Sequence, residues 1–400
     1  MAGRLKTLDA ASIGVASMLG AGVFGVFGPV AAITGSLLPA AILLAGFVAY
    51  LNAGSISQLA AKVPRSGGAY AYARHYLNPT WGFLAGSSFL VGKIGSAAAI
   101  ALTVSYHLVP GREVPVALGA VAVMTIINIA GINRTATGAK VLASITLTFL
   151  VVLVGAALFL PTASEPLSQG SLASVPAGAA VVFFAFAGYA RVATLGGELV
   201  NPRRAVPRAI AIALAVVLGV YLVLGLVLPA KLGSALAGSP TALGDLAAVA
   251  IPGVSASAVS VIVALACLGS LLALLTGMSR TAAVMAADGE LPGVLSFQFK
   301  NKVPIVAELS VAALVALLVL SRSFLLTLGL SSFAVLTYYA VANLAAYRQP
   351  KTETSRPKWL NLLGLASCLL LALSVPVSGL LLGLPVICAM LFIRWALVRR

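Results

Sequence analysis

Apolar residues in this chain come in long runs, with polar and charged residues gathered between them. Bounded by charge or by Pro/Gly clusters, the runs fall at 10–34, 38–61, 82–108, 115–133, 138–160, 175–197, 207–229, 255–278, 304–321, 324–346, 359–376 and 379–397. Each approaches or exceeds the ~20 residues that a helix needs to cross a hydrocarbon core. The runs are rich in Ala, Leu, Val and Gly and lack the apolar–polar alternation of a membrane β-strand. The pattern predicts an all-α membrane protein of about twelve transmembrane helices. The longest connections, near 62–81, 230–254 and 279–303, read as ordinary loops, and no soluble domain is expected.

Composition agrees. Of 400 residues, 61% are hydrophobic and 8% charged, with a mean hydropathy of +1.10. A soluble domain carries about 25% charged residues, so a water-soluble enzyme or a nucleic-acid binder is excluded. Lys and Arg outnumber Asp and Glu by 25 to 9, and their placement explains the excess. With the N-terminus in the cytoplasm, 20 of the 25 cations fall in cytoplasmic segments, three (Arg112, Lys231 and Arg322) in external loops, and two (Lys93 and Arg191) within spans. That bias puts both termini inside a cell (plasma) membrane and favours an even number of spans. Trp81, Trp359 and Trp395 lie at run ends, where an aromatic belt places them. Cys267, Cys368 and Cys388 sit within apolar runs, without metal-ligand spacing, and read as small core residues. The first run passes straight into a full span, so no cleavable signal is expected. There is no Walker A run, HExxH or G-x-S-x-G, so no enzyme, cofactor or metal is expected.

Chemistry is expected where spans are interrupted. The first run contains Gly20-Ala21-Gly22-Val23-Phe24-Gly25 at mid-membrane depth, and three glycines in six residues weaken a helix. Freed backbone groups are tolerated in a membrane only beside protein or a water-filled cavity, and freed N–H groups can hold a carboxylate. Close helix packing by small residues explains this run equally well on its own. The sixth run, however, repeats the feature: Phe183-Phe184-Ala185-Phe186-Ala187-Gly188-Tyr189-Ala190-Arg191 puts Gly188 in mid-span. Interrupted spans at corresponding positions of two halves point to a transporter's binding site.

These residues resemble the amino acid–polyamine–organocation (APC) transporter superfamily. The likeness is carried by Gly20-Ala21-Gly22-Val23-Phe24; by Pro64-Arg65-Ser66-Gly67-Gly68-Ala69-Tyr70; by Glu198 with Asn201-Pro202; and by Ser279-Arg280 with Asp288-Gly289-Glu290-Leu291-Pro292. It covers essentially the whole chain. The resemblance implies a LeuT-type fold, with broken helices 1 and 6 and two inverted five-span repeats over 10–160 and 175–346. Spans 11 and 12 (359–397) follow. It also implies that an amino acid's carboxylate meets the N–H groups near Gly20, Ala21 and Gly22. The α-ammonium would meet carbonyls around Met18, Phe184 and Ala187, with Phe184 as an aromatic gate. On that reading Gly22→Val abolishes transport and spares folding.

Departures from the family pattern bear on coupling. Ala190, followed by Arg191, replaces an acid that many relatives carry. Thr146 aligns with the span-five lysine of several proton-coupled relatives. Lys93, in mid-span three, is not a general feature. A buried charge is costly in a membrane, so Lys93 and Arg191 should face the bundle interior or water. Lys93 can shed its proton when desolvated and is a candidate coupling residue; Arg191 cannot and reads as a fixed charge. The plainer alternatives are a structural ion pair or a snorkelling side chain for Lys93, and a cytoplasmic gate for Arg191, paired with Glu198. Ser270 lies near the site that holds Na⁺ in sodium-coupled members. His107 reads as interfacial, and Glu308 as a partner for a neighbouring helix.

The expected function is secondary active transport of amino acids or related amines, neutral or acidic rather than cationic. Proton coupling is favoured, with the lipid bilayer, the substrate and H⁺ as partners. An uncoupled exchanger remains open, because Thr146 is not a lysine. So does a non-transporting receptor or accessory subunit, which needs neither broken helices nor a titratable residue. A major-facilitator arrangement is disfavoured by breaks five spans apart.

Overall fold

The computed structural model describes residues 6–20, 22–63, 67–131, 136–194, 199, 201–251, 253, 256–298 and 303–398. Among these, every element of three or more residues is helical. The N-terminal part comprises α1 (Thr7–Leu19), α2 (Gly22–Gly25), α3 (Phe27–Thr34), α4 (Leu38–Ala60), α5 (Ala69–Tyr76), α6 (Pro79–Leu108), α7 (Glu113–Ile129) and α8 (Ala136–Ala157). There follow α9 (Val175–Phe186), α10 (Ala190–Thr194), α11 (Pro202–Leu232), α12 (Ala242–Ala250), α13 (Ala256–Ala287), α14 (Ile305–Val319), α15 (Phe324–Arg348), α16 (Lys358–Leu373) and α17 (Val377–Val398).

Nine helical stretches among the described residues are long and apolar enough to cross a membrane. Three shorter apolar helices, α7, α14 and α16, occupy the fourth, ninth and eleventh runs. They fall short of the apolar runs because the backbone turns before the hydrophobicity ends. Gly131 takes φ +78° after α7, and Arg322 takes φ +54° beyond α14. Pro376 follows the last turn of α16, where a continuing helix would need an N–H. The connections read as ordinary loops are also more structured than expected. Residues 62–81 contain α5, and 230–254 contain α12, whose Leu243, Leu246 and Ala247 are buried.

In lipid the hydrophobic effect does not drive helix association, so close packing and polar contacts hold the bundle together. Helix α6 is its axis, packed along α15 and α13 and buried over most of its length. Asn78 caps it, its side chain accepting from the Trp81 N–H at 3.0 Å. Ser96 of α6 meets Ser331 of α15 at 2.7 Å. On the other side of α15, Asn343 Nδ2 donates to Asn52 Oδ1 of α4 at 2.7 Å, and Ser55 Oγ donates to Asn343 Oδ1 at 2.7 Å. Elsewhere α1 packs on α11 and α8, while α4 packs on α9 and α11.

Two motifs far apart in sequence meet at one end of the bundle. Tyr70 Oη of α5 donates to Asp288 Oδ2 at 2.6 Å. Burial and the Asp288 carboxylate push the Tyr70 hydroxyl's pKa up, so it remains a donor at physiological pH. Glu290 pairs with Arg74 of α5 and accepts from Arg394 Nε of α17 at 2.6 Å. The Glu290 side chain is 6% exposed and that of Arg74 a third exposed, so this network lies between surface and buried limits. Glu290→Gln leaves two guanidinium groups facing a neutral amide. The expected destabilisation is about 2 kcal/mol, read as a lower thermal-unfolding midpoint in detergent. An unchanged midpoint would show that the network contributes nothing.

Candidate substrate-binding site

Both predicted interruptions are present, and they face each other. Helix α1 stops at Leu19, Gly20 bonds back through its N–H to Ala16 O at 3.1 Å, and helix resumes at Gly22. Helix α9 stops at Phe186, and Ala187–Tyr189 form one tighter turn before α10. The two segments touch closely. A Cβ built on Gly188 would lie 2.6 Å from Ser17 C and 2.7 Å from Met18 N. One built on Gly22 would lie 2.5 Å from Ala185 Cβ. Glycine is needed at both points because backbone meets backbone.

Breaking a helix in mid-bundle strands carbonyls, and side chains reach four of those around the two breaks. Tyr221 Oη of α11 lies 2.8 Å from Met18 O and 3.2 Å from Ala185 O, so one hydroxyl links both breaks. Its ring is held edge-on by Phe27 and Phe186. Cys267 Sγ lies 3.2 Å from Gly20 O. Lys93 Nζ donates to Ala187 O at 3.3 Å.

A cavity of about 170 Å³ opens between the breaks. Ser17, Met18 and Gly22 line it from one broken segment, and Phe184, Ala185, Ala187, Gly188, Ala190 and Arg191 from the other. Helix α6 contributes Phe89, Lys93, Ser96 and Ile100; α13 contributes a stripe from Ser270 through Gly277 to Arg280 and Thr281. That stripe spans 12 residues, or about 16 Å of helix from first to last Cα, so the cavity is elongated along the bundle. At the opposite end, Gly238 N–H bonds to Gly28 O at 3.0 Å, and the segment leading into α12 lies over α3.

Of the residues singled out in the sequence, Met18, Gly22, Phe184, Ala187, Gly188, Lys93, Arg191 and Ser270 come together around this cavity. Gly20 does not line it: a Cβ there would meet Ser270 Oγ, so Gly20 is packed under α13. Thr146 is buried in α8 away from the cavity wall. Ala21 and Glu198 lie outside the described residues. His107 sits near the end of α6, its Nδ1–H donating to Thr103 O at 2.9 Å, and does not line the cavity. Glu308, 1% exposed, accepts from Asn128 Nδ2 of α7 at 2.8 Å, a contact with a neighbouring helix.

Tyr221 was not singled out by sequence reasoning. The available signal was weak: a lone tyrosine inside the aliphatic run Leu214–Leu228. Tyr221→Phe removes the donor shared by Met18 O and Ala185 O and leaves both carbonyls short of a partner. The expected cost is on the order of 1–3 kcal/mol, with at least a tenfold fall in uptake at subsaturating substrate. Transport at the native rate would show that the link is dispensable.

The chain matches the amino acid permease family model over residues 9–395. It is 41% identical over 391 residues to an uncharacterized transporter of Mycobacterium tuberculosis H37Rv, covering 96% of this chain and 89% of that one. It is 29% identical over 243 residues to the vacuolar cationic amino acid transporter 4 of Arabidopsis thaliana, covering 52% and 40%. It is 27% identical over 333 residues to the methylthioribose transporter of Bacillus subtilis, covering 74% and 70%. With paired helix breaks and a cavity between them, this multi-pass membrane protein belongs to the amino acid permease family of the APC superfamily.

Proposed function

We propose that the chain is a secondary active transporter of amino acids or related amines, binding substrate in the cavity between the two helix breaks. The observation that carries this reading is the convergence of both interrupted helices and Lys93 on one cavity. Twelve spans in a LeuT-type arrangement fit the nine long and three short apolar helices. Inverted repeats are supported by the packing: exchanging the first five spans for the second five maps the α1–α11 contact onto the α9–α4 contact. Both termini are then cytoplasmic and the membrane is the cell membrane. Arg280 and Thr281 lie at the cytoplasmic end of α13, so the cavity extends inward and the α12 side is closed. Alternating access would rock this opening to the other face. Proton coupling is favoured because Lys93, which can gain and lose a proton, faces the cavity. Thr146, in place of a span-five lysine and off the cavity wall, favours exchange without coupling as the second reading.

The test is uptake of radiolabelled amino acids into proteoliposomes, with and without an imposed proton gradient. Substrate-specific uptake raised by an inward gradient is expected. Homo-exchange insensitive to the gradient would support the second reading, and no uptake of any amino acid or amine would overturn both.

A further inference from the structure

Lys93 stands where an amino acid's own ammonium is expected. Of the carbonyls proposed to receive the α-ammonium, Ala187 O already accepts from Lys93 Nζ at 3.3 Å, and Met18 O from Tyr221 Oη at 2.8 Å. A substrate cation brought to Ala187 would meet a like charge at close range. Lys93 is 7% exposed, and among the described residues it forms no ion pair with a carboxylate. The other charged groups on the described cavity wall are Arg191 from α10 and Arg280 from α13; no Asp or Glu lines it. The helices facing Lys93 across the cavity offer hydroxyls, apolar groups and backbone: Ser17 of α1, Phe184 of α9 and Ser270 of α13. A buried cation is costly unless paired, and here the partner is best supplied by what enters the cavity.

We propose that Lys93 is the specificity-determining residue of this site and that the substrate is an organic anion whose carboxylate pairs with its ammonium. The inference rests on the cavity being the substrate site, as proposed above, and assigns it to net-negative molecules, with or without an amine. Two sources share that chemistry. An acidic amino acid reaches Lys93 with its side-chain carboxylate; an amine-free dicarboxylate lets Lys93 take the place of the missing ammonium. In either case the arriving carboxylate neutralises the Lys93 ammonium, and binding is strongest for ligands that bring one.

The experiment is a thermal-unfolding screen of the full-length detergent-purified protein with glutamate, succinate, alanine, leucine and arginine, each at equal millimolar concentration. A ligand that binds the folded state raises the midpoint with its occupancy. Glutamate or succinate is expected to raise it, with alanine, leucine and arginine at least tenfold weaker in apparent affinity. A shift with glutamate alone identifies an acidic amino acid; a shift with succinate as well shows that no substrate ammonium is required. Lys93→Met should lower apparent affinity for the anion at least tenfold, while Lys93→Arg, which keeps the charge, should retain most of it. Stabilisation by alanine, leucine or arginine equal to that by the anions overturns this inference and leaves the transporter reading standing. So does an anion shift undiminished in folded Lys93→Met. Absence of any shift, together with no uptake of any amino acid or amine in proteoliposomes, overturns both.

Discussion

Gly188→Val is expected to abolish uptake, and Gly188→Ala to reduce it tenfold or more. A Cβ at this position would lie 2.6 Å from Ser17 C and 2.7 Å from Met18 N. Those are backbone atoms of α1, which cannot turn aside as a flexible side chain can. The chain must separate the two broken helices instead, at an overpacking cost of about 1–3 kcal/mol. Separation shifts Met18 O relative to Tyr221 Oη and opens the cavity wall between Ser17 and Gly188. Gly277 supplies the control. It lines the same cavity, but a Cβ there meets nothing within 4 Å, so Gly277→Ala should keep most of its activity. Uptake and the yield of monodisperse protein, measured side by side, separate loss of function from loss of folding. Native uptake by well-folded Gly188→Val would contradict the site.

The same geometry corrects an expectation from sequence. Gly22→Val looked like a clean block of the carboxylate site that leaves folding intact. Gly22 does line the cavity, but its Cβ position is 2.5 Å from Ala185 Cβ and 2.6 Å from Ala185 Cα. Valine there strains the packing of α2 on α9, so lost transport in that variant does not by itself identify a substrate contact.

Lys93→Met is expected to lose proton-driven accumulation while retaining exchange at substrate concentrations raised tenfold or more. Methionine keeps an unbranched apolar stem and cannot be protonated, so it separates titration from packing. Lys93 reaches the cavity and the Ala187 carbonyl at once, where one proton gained or lost can follow substrate occupancy. Accumulation above the equilibrium ratio, measured in proteoliposomes with and without an imposed pH gradient, checks it. Undiminished gradient-driven accumulation in Lys93→Met would leave Lys93 without a coupling role.

Sequence reading reached different depths for different parts of the site. Gly20, Gly22 and Gly188 were legible because glycine in mid-span breaks a local rule, and a broken local rule is visible in a linear sequence. Lys93 and Arg191 were legible because a charge inside an apolar run must face protein or water, and both line the cavity. Tyr221 was not, because its role is defined by Met18 O, 203 positions away, and by a backbone atom that carries no residue signature. The same limit applied to Tyr70 and Asp288. Each stood within a recognised motif, yet nothing local indicates that the two meet across 218 positions. Helix lengths failed for a different reason. Hydrophobicity continues past Ile129, Val319 and Leu373 into turns, so apolar runs overestimate α7, α14 and α16. The segment at α12 was missed because a nine-residue helix in a short connection has too few turns to establish a period.

A substrate that occupies the cavity between the two breaks should protect a thiol placed on the cavity wall. Ser17 lines the cavity, and its hydroxyl bonds back to Ile13 O within α1, so Ser17→Cys is a mild change. With exposed Cys388 replaced by serine, and buried Cys267 and Cys368 kept, a small thiol reagent should label Cys at position 17 in the purified protein. A compound that the protein transports should slow this labelling in a saturable manner, with half-protection near the concentration that half-saturates uptake. A transported compound that leaves the labelling rate unchanged at saturating concentration would place the substrate outside this cavity.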